Sequence, residues 1–208
     1  MLRSISIQDI LEKLVEGQPG PTPSFTSTHL LELLLYLGRE APVGRKKLSS
    51  TLKIGEGVIR SMLSRLVKAR IVNVTNEGCV LTSKGIEIYK QISSMLTEVG
   101  ELDVEIPWDQ PYNYVVVLKK RSHLVKKGLE QRDAAIRAGA EAALVMTYLD
   151  NELHMPGVSI LTEERPHFAS QIIKKIKPEE NDVIIIAGAK EYKKAKYGAL
   201  AAAQTLMP

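Results

Sequence analysis

The residues best equipped for chemistry are cations. Between positions 39 and 70 lie Arg39, Arg45, Lys46, Lys47, Lys53, Arg60, Arg65, Lys68 and Arg70, opposed only by Glu40 and Glu56. Such an excess attracts a polyanion; the plain alternative is a solvated basic face. Part of it is ordered by helical spacing. Gly57, Ser61, Ser64 and Lys68 recur at steps of three and four, with Arg60 beside them, so they share one stripe of a helix. Ile59, Met62, Leu63, Leu66 and Val67 form the opposite, apolar stripe. Arg60 is suited to guanine O6/N7 or a phosphate, and Ser61 and Ser64 to base edges or phosphate. Lys68 and Arg65, near the helix end, suit phosphate. Arg45, Lys46 and Lys47 open the preceding segment as a phosphate clamp.

Other chemistries find few residues. The four histidines, His29, His123, His154 and His167, never pair at helical metal-binding spacing, and Cys79 is the one cysteine. This argues against a zinc site or a disulfide framework. No nucleophile elbow or P-loop occurs, so no enzyme and no cofactor are expected. Two features of the second half suit a small anionic effector. Ala187-Gly188-Ala189-Lys190 reads as a strand-to-helix turn with open backbone N–H groups. Lys119-Lys120-Arg121, with His123, Lys126 and Lys127, is a basic run in a second such loop. Gly188, Lys190, Lys119 and Arg121 are the candidate effector residues, against the plainer reading of ordinary turns.

The elements that must position these residues follow from periodicity and breakers. Ile7, Ile10, Leu11, Leu14 and Val15 mark a lead helix, and 17–23, with three prolines and two glycines, ends it. Thr28 is expected to cap a Leu-rich helix to about Arg39. Helices then run from about Arg45 to Leu52 and Glu56 to Ala69, joined by Lys53-Ile54-Gly55, with glycine expected at a positive φ. Segments 71–75 and 79–81 form a hairpin around Asn76-Glu77-Gly78. Thr82 caps a helix expected to reach Glu98 with Ile86, Tyr89, Ile92, Met95 and Val99 inward. A Pro-containing acidic stretch follows, and 1–100 and 101–208 are read as separate domains. The second domain reads βαββαβ plus a terminal helix: a two-layer α+β sandwich with a mostly antiparallel sheet, as in ferredoxin-like modules.

Two helices joined by a short turn, followed by a hairpin, make a winged helix-turn-helix. Its wing tip carries Asn76 and Glu77 rather than Arg or Lys, so only Asn76 or backbone is expected to reach DNA. Ile54-Gly55-Glu56-Gly57-Val58-Ile59-Arg60-Ser61-Met62-Leu63-Ser64-Arg65-Leu66 resembles the recognition-helix pattern of prokaryotic winged-helix transcription regulators. Leu81-Thr82-Ser83-Lys84-Gly85 is similar to the segment after their wing. The whole layout resembles an archaeal family of two-domain winged-helix proteins of unknown function, which implies double-stranded DNA as partner and no known activity for the second half.

The expectation is therefore a DNA-binding transcription regulator whose second domain senses a small anion or dimerises. The helix 83–98 and the Ala-rich terminal helix are candidate homodimer surfaces. The competing readings are a protein-interaction adaptor and, least favoured, an enzyme with an appended nucleic-acid module. Residues 1–100 carry 13 Lys/Arg against 9 Asp/Glu, and 101–208 carry 15 of each, so the polyanion footprint belongs to the first half. No apolar run of membrane-spanning length occurs and Met1–Ile10 lacks a secretory pattern, so a cytoplasmic protein is expected.

Overall fold

The computed structural model describes residues 6–16 and 23–207. The chain forms two compact units that part between Ser93 and Ser94. The expected break at 17–22 lies outside the described residues.

The first unit comprises α1 (Ile7–Glu16), α2 (Ser27–Glu40), α3 (Arg45–Leu52), α4 (Glu56–Lys68), the hairpin β1 (Val72–Val74) and β2 (Cys79–Leu81), and α5 (Ser83–Met95). Its core is aliphatic: Leu30, Leu31, Leu33, Leu34 and Leu37 of α2 are buried with Leu48, Ile59, Met62 and Leu66. Thr26, not Thr28, starts α2, its N–H donating to His29 Nδ1 at 3.1 Å. Thr28 lies inside the helix and is buried. The lead helix packs on this unit through Ile7 and Leu11. β2 pairs with β1 on one side and, through Cys79, with Val43 on the other, which makes the small sheet of a winged helix.

α5 ends three residues earlier than its periodicity suggests; Ile92 and Met95 are buried as expected and Ile88 joins them, whereas Ile86 and Val99 are exposed. The chain passes straight into β3 (Leu96–Gly100), which pairs with β4 (Tyr112–Leu118). A strand beyond the expected βαββαβ set thus lies at 96–100. The reason is chemical: Leu96 and Glu98 belong to the second unit, where Leu96 is buried and Glu98 accepts the Tyr114 hydroxyl at 2.7 Å and pairs with Lys196 at 3.6 Å.

The second unit continues with α6 (Leu129–Arg137), β5 (Ala142–Leu149), β6 (Glu152–Met155), β7 (Ser159–Ile160), α7 (Leu161–Glu164), α8 (Pro166–Ile176), β8 (Val183–Ala189) and α9 (Tyr192–Gln204). Its six strands lie in the order β3-β4-β8-β5-β6-β7, every recorded pair antiparallel. β4 and β5 are parallel to each other with β8 between them. The last strand thus fills the gap of a split βαβ.

β8 is buried along its whole length because both of its faces are covered. Val115, Val117, Leu144, Met146, Ile184 and Ile186 pack on Phe168, Ala169 and Ile172 of α8. α6 and α9 cover the opposite face, where Gly198 lets α9 approach Ala140 and Ala187. This adds a third layer to the two expected. Residues 101–111 form an irregular strap on the α8 side. Val104, Ile106 and Trp108 pack on that core, Gln171 accepts the Glu105 N–H at 3.4 Å, and Lys175 donates to the Asp103 carbonyl.

Candidate nucleic-acid interface

α3 and α4 are joined by Lys53-Ile54-Gly55. Positive φ falls on Lys53 (52°), the C-cap of α3, and not on Gly55, which is the N-cap of α4 at φ −55°. The turn is set by Ile54: its side chain is buried, its N–H donates to Ser49 O at 3.1 Å, and its carbonyl accepts the Ser49 hydroxyl at 2.6 Å. With both polar backbone groups satisfied and the side chain inside, the angle between the two helices is fixed.

α4 buries Ile59, Met62, Leu63 and Leu66 and turns Gly57, Arg60, Ser61, Ser64 and Lys68 outward. Val67, expected with the apolar stripe, is 40% exposed. Ser61 donates to Gly57 O at 3.1 Å, which holds its oxygen close to the helix surface. Arg60 has no side-chain partner among the described residues, so its guanidinium is available to a ligand.

The glycines of this face are not required by the fold. A Cβ on Gly44, Gly55 or Gly57 would meet nothing within 4 Å. Glycine inside a helix is disfavoured against alanine by about 0.5–1 kcal/mol. Gly57 therefore weakens α4 and leaves its backbone bare to the outside. The start of α3 shows the same tension. Arg45, Lys46 and Lys47 are exposed and occupy its first turn, where no acid is present. Cations at a helix N-terminus oppose the helix dipole, at about 0.3–1 kcal/mol each. Residues that work against their own helix are suited to a negative partner outside it.

Arg65 departs from the expected set. It lies about 80° around α4 from Gly57. Its guanidinium is half-buried, stacks over the Phe25 ring at 5.2 Å, and donates to the carbonyls of Leu14 (2.7 Å) and Val15 at the end of α1. It fastens the lead helix and is not part of the outward stripe.

The wing is short and pinned. Thr75 N–H donates to Gly78 O at 2.8 Å, which closes the turn and presents Asn76 and Glu77 to solvent. Gly78 (φ 142°) lies so close to Val43 that a Cβ would sit 2.7 Å from the Val43 carbonyl carbon. Burial pushes the Cys79 thiol pKa up, and nearby Arg45 pulls it part of the way down.

The segment after the wing explains itself as support for α4. The Thr82 hydroxyl donates to Arg70 O at 2.7 Å and accepts the Gly85 N–H at 3.1 Å, which caps α5. Lys84 Nζ donates to Ala69 O at 3.2 Å. A Cβ on Gly85 would overlap the Ile71 carbonyl oxygen at 2.1 Å. The Thr-x-Lys-Gly pattern thus satisfies the carbonyls at the end of α4. Sequence reasoning named the segment by resemblance but not this role.

The candidate effector residues are not brought together. Gly188 is a buried residue of β8, paired with Asn113 and Ala142; a Cβ there would strike the Trp108 indole nitrogen at 2.4 Å. It packs under the strap and opens no helix N-terminus, since α9 begins at Tyr192. The protein's own Glu141 takes the turn, accepting the Lys190 N–H at 3.3 Å with Lys190 Nζ at 3.7 Å. In the other loop Asp182 accepts the Lys120 N–H at 3.0 Å, and Arg121 lies against Met95 at 3.3 Å, leaving Lys119 exposed. The fold accounts for Gly188 and engages Lys190 through Glu141, whereas Lys119 is exposed and Arg121 Nε is buried with no hydrogen-bond partner among the described residues.

Residues 30–96 match the family described as "CggR N-terminal DNA binding domain", and 110–206 match "Domain of unknown function (DUF4443)". The chain is 31% identical over 91 residues to the "Central glycolytic genes regulator" of Bacillus subtilis (strain 168), a stretch that spans 27% of that protein. A solved structure, a hypothetical protein from Pyrococcus horikoshii OT3, is 32% identical with a TM-score of 0.66, covering 88% of this chain and 93% of its own. The chain belongs to one family with that Pyrococcus protein, a family of two-domain proteins with an N-terminal winged helix.

Proposed function

We propose that this protein is a DNA-binding transcription regulator. The winged helix lays α4 in the major groove, with Arg60, Ser61 and Ser64 toward base edges, Lys68 on phosphate, and Gly57 giving the backbone close approach. Arg45, Lys46 and Lys47 hold phosphates beside the groove, and Asn76 touches backbone from the wing. The observation that carries this reading is a helix pair whose exposed residues work against the helices that bear them: bare glycine on α4 and an uncompensated cationic start on α3. The matches to a DNA-binding domain and to a glycolytic gene regulator support it.

The second domain serves as sensor and pairing module rather than as an enzyme. In a homodimer the two recognition helices would lie about one DNA turn apart, 34–36 Å. The exposed side of α5 is the better pairing surface, since α9 spends its alanine face on its own domain. Among the described residues no helix is long and apolar enough to cross a membrane, and the reading places the regulator in the cytoplasm, of an archaeon as its Pyrococcus relative suggests.

Fluorescence anisotropy with duplex fragments selected from genomic DNA tests the proposal. Arg60→Ala is expected to weaken the selected site by about 1–3 kcal/mol. Absence of binding to any duplex at low salt would refute it and favour the adaptor reading.

A further inference from the structure

The second unit contains a cavity of about 460 Å³ on the α8 side of the sheet, under the strap at Ile106 and Pro107. That volume falls within the roughly 300–1,000 Å³ of small-molecule sites. Its lining is mainly apolar: Leu144 of β5, Met155 of β6, Leu161 and Phe168. Charge enters from two residues, Arg165 and Glu105. His167 also lines the cavity, its ring beside the Gln171 amide at 3.3 Å.

Arg165 is the residue that points to a ligand. Its backbone is fixed on both sides, N–H to Leu161 O at 2.9 Å and C=O from Ala169 N at 3.0 Å. Its guanidinium makes no hydrogen bond or ion pair among the described residues. The backbone end of α8 adds little, because Pro166 opens that helix and has no N–H to offer. An exposed, unengaged guanidinium on a held backbone, beside an apolar lining, matches a carboxylate on an apolar body.

We infer that this cavity binds a small carboxylate with an apolar body, with Arg165 as its carboxylate partner. Glu105, on the strap, adds a place for an ammonium, so the same chemistry is met by a plain carboxylic acid or by an apolar α-amino acid. The roofing strap follows β3, which continues directly from α5 of the winged helix. Occupancy therefore acts on the segment of chain that leads to the DNA-binding unit. This deepens the sensor reading of the second domain and rests on it only for the effect on DNA.

The test is calorimetric titration of the full chain with 4-methylpentanoate, leucine and 4-methylpentan-1-ol, which share one apolar body. Phenylacetate and phenylalanine extend the series. A carboxylate should bind at least about tenfold more tightly than the alcohol, and Arg165→Gln should remove most of that difference. Met155→Trp, at the half-buried edge of the cavity, should abolish binding while the melting curve by circular dichroism stays cooperative. A tighter grip on leucine, lost in Glu105→Gln, would identify the amino acid as the source; a tighter grip on 4-methylpentanoate would identify the plain acid. The proposal is overturned if no carboxylate binds at concentrations up to about 10 mM, if the alcohol binds equally well, or if Arg165→Gln leaves the affinity unchanged. DNA affinity is measured separately: binding of a carboxylate without any change at the DNA leaves the site standing and removes its sensor role.

Discussion

Replacing Gly57 by alanine should move stability and DNA affinity in opposite directions. Gly57 is exposed in the first turn of α4, and a Cβ there meets no atom within 4 Å. The new methyl is thus free of internal clash. Alanine removes backbone freedom from the unfolded chain and should raise the stability of the winged helix by about 0.5–1 kcal/mol. For a domain of this size that is roughly 2–8 °C in Tm. On the DNA side the same methyl is inserted between α4 and whatever lies against it. Overpacking a close contact by one methyl is worth about 1–3 kcal/mol, so affinity should fall by about five- to 150-fold. Urea denaturation reads the first effect and anisotropy titration of the selected duplex the second. A variant that is more stable and binds DNA as tightly as the parent would refute the close approach of α4 to DNA.

Three further outcomes follow from the support of that surface. Gly85→Ala should cost about 1–3 kcal/mol or more of stability, read as a lower urea midpoint, because the methyl would overlap the Ile71 carbonyl oxygen; an unchanged midpoint would contradict the role given to the Thr-x-Lys-Gly segment. Arg65→Gln should destabilise the first unit by about 1–2 kcal/mol through loss of its hold on Leu14 and Val15, while the salt dependence of DNA binding stays as it was; a drop in that dependence would return Arg65 to the DNA face. Cys79 links stability to pH. Its folded thiol holds the proton more tightly than the unfolded one. The contribution is therefore complete below the ordinary thiol value of about 8.5 and is lost as pH rises through the higher folded value. Urea midpoints across that range should fall less steeply for Cys79→Ala than for the parent, and equal slopes would contradict the burial effect.

The winged helix was legible because its signals are local. The period of α4, the short turn before it and the β-branched hairpin each follow from neighbours in the chain. What the sequence hid were the places where distant backbone decides. Gly55 reads as the positive-φ residue of the turn, yet Ile54 is drawn into the core and forces Lys53 into that conformation. Arg65 reads as one more cation of a basic helix, and only the position of α1 shows it to be a fastener. Helical periodicity carries α5 past its true end, because Leu96–Gly100 is captured by pairing with β4.

In the second unit the βαββαβ order was readable for β4, β5, β6 and β8, whereas β3, hidden in the helical periodicity, and the two-residue β7 were not. The sheet order was not readable, because strand pairing is set by contacts far apart in sequence. Gly188 misleads for the same reason: Trp108, eighty positions earlier, is what requires a glycine there. The cavity at Arg165 draws its walls from four separate segments, and no local pattern marks it.

The central claim, that the exposed cations of α3 and α4 meet DNA phosphates, is tested most directly by the salt dependence of binding. Arg45, Lys46, Lys47, Arg60 and Lys68 are all exposed on the proposed face. If each neutralises one phosphate, log K should fall against log salt with a slope of roughly −4.5 per protomer. The triple variant Arg45→Gln, Lys46→Gln, Lys47→Gln should reduce the magnitude of that slope by about 2.7 per protomer. Binding that is insensitive to salt, or a slope that the triple variant leaves unchanged, would contradict the account.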